Sequence, residues 1–364
     1  MTGAGSHRRL VVDLQSTAPH MRLPPWAALQ LTAGAPDGWE VVHIASASKS
    51  VGSGTNLVSD ETLEAIAQAE GYFGYGLPAA LLQAAPLLRW AHSASAGVGA
   101  SVTPALRRSG VIFTNSAGVY GEPMADTVLA GVLHFVRGLD FAVRQQAAFT
   151  WDQQPFTRHL VHDRSNDRSN DRTDVRTDVR ELAELRVLIV GTGGIGSAVA
   201  RRVTALGCHC AGVRRRPELG APEGFASVVG VDALDAALPD ADVIVLAAPL
   251  TQGSASLLDA RRLALLPAGA IVVHVARGAL ISDEALLDSL NRNHLRGAVL
   301  DVFNTEPLPP DNPYWQHPKV LVIPHVSGVS PRHWRRGLEL FEDNWRRWHA
   351  GIPLRNVVDL DAGY

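Results

Sequence analysis

The sequence predicts an α/β protein built from two doubly wound domains, each a parallel sheet flanked by helices. Three observations carry that expectation. Short apolar strand segments alternate with helical segments along most of the chain, as parallel sheets with crossover helices require. One such strand, LRVLIV, runs into Gly191, Gly193 and Gly196 in G-x-G-x-x-G spacing and then into an amphipathic helix. Finally, 364 residues are long for one core and comfortable for two.

Taken in order, residues 10–14 (LVVDL) and 39–44 (WEVVHI) read as strands. Leu63, Ile66 and Ala67 place a helix within residues 60–70. Residues 72–75 form a short strand, 78–85 a helix, 87–92 a strand, 104–108 a short helix and 111–115 a strand. The first hundred or so residues therefore read as a small parallel α/β domain.

A long helix is predicted over residues 122–149, with Pro123 suited to its first turn. Met124, Val128, Leu129, Val132, Leu133, Phe135, Val136 and Leu139 cover more than a narrow stripe. Such breadth fits a core helix or a subunit contact, and periodicity alone leaves both open. Residues 163–180 read DRSNDRSNDRTDVRTDVR, with balanced charges and no apolar period. A solvated, mobile loop inserted before LRVLIV is expected there.

Within residues 185–217, the branched apolar run ending at Gly191 reads as a strand buried on both faces. Ile195, Ala198, Val199, Val203 and Leu206 then mark a helix closed by Gly207, and residues 208–213 form a second strand. In this βαβ context the glycines acquire specific roles. Gly191 permits the tight turn, Gly193 lets a pyrophosphate approach the backbone, and Gly196 lets helix and strand pack closely. The helix start, with Gly194 and Ile195, offers free N–H groups to phosphate oxygens. Without that context the glycine pattern would be no more than a loop.

Beyond Arg216 the alternation resumes. Strands are expected at 243–247, 270–276 (AIVVHVA), 297–302 (GAVLDV) and 320–324 (VLVIP). Helices are expected at 260–266, at 283–290 with Ser282 as cap, and at 335–350.

Composition narrows the function. With 46% hydrophobic and 19% charged residues and a net charge of −3, nothing favours nucleic acid or an anionic membrane as partner. The 2 cysteines, Cys208 and Cys210, share one strand face, which fits buried free thiols rather than a disulfide or a metal site. The polar start MTGAGSHRRL lacks a signal-peptide core, and no apolar run approaches a bilayer span. A cytoplasmic protein without a metal is expected.

Three polar residues follow three of these strands. Arg277 comes directly after AIVVHVA, Glu306 shortly after GAVLDV and His325 directly after VLVIP. In a parallel sheet all three emerge at the carboxyl edge, where the glycine turn also opens and where such sheets bind ligands. Histidine is the usual acid–base group near neutral pH, and a carboxylate on its second nitrogen fixes its tautomer. Arginine can grip a substrate carboxylate with its planar fork. Singly, each has a dull alternative, an Arg277–Glu306 surface ion pair or a loop-capping histidine. Together they suit protonation of a carbonyl as hydride reaches its carbon.

At these residues the sequence resembles the D-isomer-specific 2-hydroxyacid dehydrogenases over nearly its whole length. The matching stretches are SASAGVG at 93–99, TNSAGVYGEPMAD at 114–126, GTGGIG and APLT at 248–251. Further along come VARGALISDEALLDSL from Val275, LDVFNTEPLP from Leu300, IPH at 323–325, and LRNVVD with the terminal Tyr364. The resemblance implies a catalytic trio of Arg277, Glu306 and His325, with His325 as proton donor, Glu306 orienting it and Arg277 binding the substrate carboxylate and carbonyl. It implies carboxylate binding by the backbone at Ala96, Gly97 and Val98. Pro249, Thr251, Val275, Ala276, Asp301 and His325 would border the cofactor, with Asp301 and the backbone after Val275 positioning the nicotinamide. The expected organisation is a flavodoxin-like substrate domain at 1–117 and 329–364, interrupted by a Rossmann domain at 118–328. A homodimer through the helix at 122–149 is also implied. Asp126, Gly99 and His274 depart from residues common in the family, none of them in the trio, so substrate preference is what they put in question.

An NAD-preferring chain would end its second strand with an acidic residue for the ribose hydroxyls. Here Arg214, Arg215 and Arg216 follow that strand, which fits the 2′-phosphate of NADP(H) better than NAD(H). A solvated basic turn is the alternative. The leading expectation is NAD(P)H-dependent reduction of a small 2-oxo acid, of glyoxylate or hydroxypyruvate type, to the D-2-hydroxy acid. Formate or phosphite oxidation on the same fold is a close chemical alternative, and Glu306, where formate oxidation is associated with a glutamine, argues against the former. A dinucleotide-sensing corepressor or scaffold is the expectation of a different class, and turnover with 2-oxo acids separates it.

Overall fold

The computed structural model describes residues 8–47, 49–51, 55–161, 179–251 and 253–363. The N-terminal arm, the 163–180 repeat apart from Val179 and Arg180, and Tyr364 lie outside the described residues. Contacts divide the chain into two compact units, Met1–Tyr120 with Val329–Tyr364, and Gly121–Gly328.

The first unit contains β1 (Arg8–Asp13), β2 (Trp39–His43), β3 (Lys49–Val51), β4 (Thr55–Leu57), β5 (Gly71–Gly74), β6 (Trp90–Ser93) and β7 (Ile112–Asn115). Five of these form a parallel sheet in the order β2-β1-β5-β6-β7, the flavodoxin-like arrangement. The antiparallel hairpin β3–β4 and the helix Pro25–Ala33 carry too weak a periodicity to be read from sequence. One sheet face buries Leu10, Val12, Phe73 and Trp90 against Trp334, Leu338, Phe341 and Trp345 of the helix His333–His349. Phe341 stacks on Phe73 with ring centres 4.0 Å apart. The other face buries Val11, Tyr72, Ala91 and Phe113 with Ile66, Leu81 and Leu106. Alternate residues serve opposite faces, which is why these strands read as unbroken apolar runs.

The second unit contains β8 (Arg186–Val190), β9 (His209–Val213), β10 (Ser227–Val229), β11 (Val243–Leu246), β12 (Ala270–His274), β13 (Leu295–Leu300) and β14 (Val320–Val322). They form one sheet ordered β10-β9-β8-β11-β12-β13-β14, and every pairing is parallel. Strand order reverses between β8 and β11. Leu188, Ile244, Val272 and Leu300 pack on one face and Val187, Ile189, Val245 and Val273 on the other. Cys208 and Cys210 are buried free thiols, and burial pushes Cys210 up to about 12.

The single helix expected over residues 122–149 is not formed. The segment divides into Gly121–Val136 and Leu139–Ala147, because Gly138 adopts a φ of 68°, a left-handed conformation that ends one helix and starts the next. Asp140, on the first turn after the break, is thereby carried into the interior. It accepts from Arg296 Nη2 at 2.6 Å and Nη1 at 3.0 Å. The first of the two helices lies unusually close to the sheet. A side chain at Gly131 would meet Val299 at 2.7 Å, and one at Gly297 would meet Phe135 at 2.5 Å.

Candidate active site

The ends of the second unit's strands are level with one another. The N–H of Gly191 donates to Val213 O at 2.9 Å, Ala247 to Val190 O at 2.8 Å, and Val275 to Leu246 O at 3.3 Å. Asp301 donates to His274 O and Ile323 to Leu300 O, both at 2.9 Å. These bonds extend the ladder one step past β8, β11, β12, β13 and β14, and Arg214 N–H to Val229 O does the same past β9, so the loops that follow leave from a common carboxyl edge. Gly191, Arg214, Pro249, Thr251, Arg277, Asp301, Glu306 and His325 all belong to those loops. Parallel pairing, rather than any one strand, brings them together.

The glycine turn opens at the β8–β11 reversal, where doubly wound sheets take ligands. Gly191 has a φ of 101°, and a side chain there would meet the Ala248 nitrogen at 2.6 Å. A side chain at Gly196 would lie 1.9 Å from Gly191 O. At Gly193 it would meet nothing within 4 Å, so the backbone stays open at the start of the helix Gly194–Ala205. Tight turn, open approach and close helix packing fit a dinucleotide's pyrophosphate, with the amides of Gly194 and Ile195 as donors.

Arg214 is the first residue past β9. Its N–H donates to Val229 O at 3.0 Å and its Nη1 to Gly220 O at 3.2 Å. Arg215 and Arg216 are exposed. Past β11, Ser254 Oγ donates to Pro249 O at 3.0 Å and accepts from the Thr251 N–H at 2.8 Å, which ties these three residues together.

Arg277, Glu306 and His325 form a connected group. His325 Nδ1 lies 2.7 Å from Glu306 Oε2, and the other carboxylate oxygen accepts from the Phe303 N–H at 2.9 Å. The hydrogen bond with Glu306 raises the His325 pKa against the opposing effect of burial. Asp301 reinforces the rise and Arg277 opposes it. Burial works against the Glu306 charge, but His325, the Phe303 amide and Arg277 together hold its carboxyl below the usual value. Arg277 is half-buried; desolvation lowers its pKa while Glu306 supports its charge. Its Nη1 donates to Ala276 O at 2.7 Å. Each partner thus favours the charged form of the other, with Arg277 close enough to act on both.

Asp301 is buried, and its oxygens are occupied by the loop after His325. Oδ1 accepts from the Val326 N–H at 2.9 Å and the Ser327 N–H at 3.1 Å, while Oδ2 accepts from the Ser327 hydroxyl. The backbone at His325 is left-handed, with a φ of 53°, and this anchor follows directly. Sequence reasoning gave Asp301 a role toward the nicotinamide and did not find its hold on residues 326–327. Ser327 carries no motif that would have revealed it.

Ala96, Gly97 and Val98 belong to the first unit, in the loop after β6. Asn115 Nδ2 donates to Ala96 O at 2.9 Å, the Ser116 N–H donates to Ser95 O at 3.2 Å, and Val98 is buried. His274, the departure noted in β12, is buried, with its ring against the backbone of Arg277 and Gly278. Burial pushes its pKa down to about 4, so it sits uncharged beneath the Arg277 turn. Among the described residues no cluster of His, Cys, Asp or Glu could hold a metal ion, and no helix is long and apolar enough to cross a membrane.

A glycine turn at a strand-order reversal, with a histidine–carboxylate pair and an arginine on the same edge, is the arrangement of a dinucleotide-dependent oxidoreductase. The D-isomer specific 2-hydroxyacid dehydrogenase NAD binding domain matches residues 129–327. An uncharacterised protein of Streptomyces coelicolor is 32% identical over 291 residues, 79% of this chain and 93% of that one. A D-isomer specific 2-hydroxyacid dehydrogenase from Xanthobacter autotrophicus Py2, solved with NADPH and MES, superposes with a TM-score of 0.74 and 28% identity, covering 98% of this chain and 100% of that one. An NADPH-dependent glyoxylate/hydroxypyruvate reductase from Sinorhizobium meliloti, solved with NADP and sulfate, gives 0.75 and 25%, with the same coverage. The chain belongs to the D-isomer specific 2-hydroxyacid dehydrogenase family. It is an NAD(P)-dependent oxidoreductase acting on a CH–OH group.

Proposed function

We propose that this enzyme reduces a small 2-oxo acid, of glyoxylate or hydroxypyruvate type, to the D-2-hydroxy acid with NADPH. The observation that carries the reading is the 2.7 Å His325–Glu306 pair on the sheet edge that also bears the glycine turn and Arg277. The nicotinamide, when bound, supplies hydride to the carbonyl carbon. Glu306 accepts from Nδ1 of His325, so the transferable proton is held at Nε2, and His325 delivers it to the carbonyl oxygen. The raised pKa of His325 favours the protonated ring that reduction needs. Arg277 supplies a planar fork for the substrate carboxylate and polarises the carbonyl. Asp301 fixes the loop bearing His325 through residues 326 and 327.

Gly191, Gly193 and Gly196 with the amides of Gly194 and Ile195 would hold the pyrophosphate, Pro249 and Thr251 would border the cofactor, and the backbone after Val275 would position the nicotinamide with Asp301. Arg214, Arg215 and Arg216 would take the 2′-phosphate, where an acidic residue would repel it. The NADPH and NADP bound in the Xanthobacter and Sinorhizobium proteins support that preference. A homodimer is proposed through the exposed apolar residues of 139–151, where Val143, Phe149 and Trp151 are 58%, 98% and 90% exposed.

The test is a panel of 2-oxo acids assayed with both coenzymes. His325→Ala should lower kcat by ~10²–10⁴ while NADPH binding persists; unchanged turnover would refute its role. Arg214→Asp should move the kcat/KM ratio toward NADH, and a wild-type preference for NADH would remove the 2′-phosphate assignment.

A further inference from the structure

We propose that Asp283 is a positioning residue for the Glu306–His325 pair, acting through Asn304 on the loop that carries Glu306. The inference rests on the assignment of that pair as the acid–base machinery.

Asp283 begins the helix Asp283–Asn291, capped by Ser282, whose hydroxyl accepts from the Ala285 N–H at 3.4 Å. An aspartate there is ordinarily accounted for by the helix dipole alone. Here both carboxylate oxygens are engaged elsewhere. Oδ2 accepts from Asn304 Nδ2 at 2.8 Å, and Oδ1 accepts from the Tyr314 hydroxyl at 3.0 Å. Tyr314 is buried, and desolvation together with the Asp283 charge raises its pKa, so it remains a donor. Its ring also lies 6.3 Å from that of Phe303. The carboxylate thus holds residue 304 directly and packs residue 303 through Tyr314.

Those two residues control the pair. The Phe303 N–H donates to Glu306 Oε1, and Glu306 Oε2 bonds His325. On its other side the loop rests on Gly278, where a side chain would come within 2.1 Å of the Phe303 carbonyl carbon. The loop is therefore held between the Arg277–Gly278 turn and the Asp283 clasp. His274 also faces Asp283 and is uncharged near neutral pH, so the carboxylate's charge is directed to two neutral donors. Loss of the clasp frees the 303–306 segment and weakens the Glu306–His325 bond without touching either residue.

The experiment titrates His325 by NMR in isotopically labelled full-length protein, the resonance being assigned with His325→Gln. Wild type, Asp283→Ala, Asp283→Asn, Asn304→Ala and Glu306→Gln are compared. The groups that face His325 are Glu306, Asp301 and Arg277, and none is altered in the Asp283 and Asn304 variants. The expected result is a lower His325 midpoint in those variants, in the direction produced by Glu306→Gln, with kcat reduced ~10-fold or more and NADPH affinity kept. A purely structural role would lower the melting temperature and leave the midpoint in place, and that result overturns the proposal. Asp283→Asn gives the same readout if Asp283→Ala does not fold. The titration needs no turnover, so failure of the catalytic reading, seen as full activity in His325→Ala, is distinguished from failure of the Asp283 assignment.

Discussion

Replacing Gly278 with alanine tests how the two site loops depend on each other. Gly278 opens the short turn after Arg277 and has no left-handed φ, so alanine meets no conformational obstacle there. The obstacle is steric. The added Cβ would lie 2.1 Å from the Phe303 carbonyl carbon, 2.3 Å from its oxygen and 2.4 Å from the Asn304 nitrogen, whereas ordinary contact begins at 3.4 Å. The shortfall is about 1.3 Å, and backbone lies on both sides, so no side chain can swing away. Either Arg277 or the Glu306 loop must therefore move by about an ångström, a misplacement that costs ~10²-fold in rate, or about 2.7 kcal/mol of transition-state stabilisation. Initial rates of NADPH consumption with glyoxylate, beside an NADPH binding titration, measure this. kcat/KM should fall by that factor while NADPH affinity stays near wild type, because the Gly191–Gly196 turn is untouched. Gly337→Ala is the control; nothing lies within 4 Å of a side chain there, and alanine within a helix gains ~0.5–1 kcal/mol over glycine. A folded Gly278→Ala enzyme with wild-type kcat/KM would show that the two loops are not sterically coupled.

Three further outcomes follow from the same geometry. Glu306 raises the His325 pKa and reduction uses the protonated ring, so activity is present at low pH and lost as pH rises through that pKa. Glu306→Gln should move the loss to lower pH, and a profile that only scales in height would count against the pairing. In the interior, Asp140 and Arg296 have side chains only 2% and 7% exposed. Asp140→Ala should destabilise the protein by ~3–5 kcal/mol in urea unfolding by leaving a buried guanidinium uncompensated, whereas Asp140→Leu with Arg296→Met should recover most of the loss. Finally, the proposed homodimer predicts a wild-type dimer in sedimentation equilibrium that Phe149→Ser with Trp151→Ser shifts toward monomer; a monomeric wild type or an unchanged dimer would refute the seam proposed at 139–151.

The sequence by itself determined the α/β class, the glycine turn after LRVLIV and the placing of Arg277, Glu306 and His325 after three strands. Each rests on a local rule: alternating short apolar strands, glycines at positions fixed by a turn, and polar residues directly after strands. Parallel pairing then needed only to hold for Arg277, Glu306 and His325 to reach one edge. The extent of the helix after Tyr120 was not decided locally, because Arg137–Gly138 carries no interruption of apolar spacing strong enough to announce a break. The left-handed Gly138 is stabilised by what it delivers, the burial of Asp140 on Arg296, which lies 156 residues further on. Asp283 and Asp301 show the same limit. In sequence, one is a helix-start aspartate and the other an acid at a strand end. Only the folded chain reveals that one carboxylate holds Asn304 and Tyr314 and the other holds Val326 and Ser327, because hydrogen bonds between distant loops leave no periodicity to read.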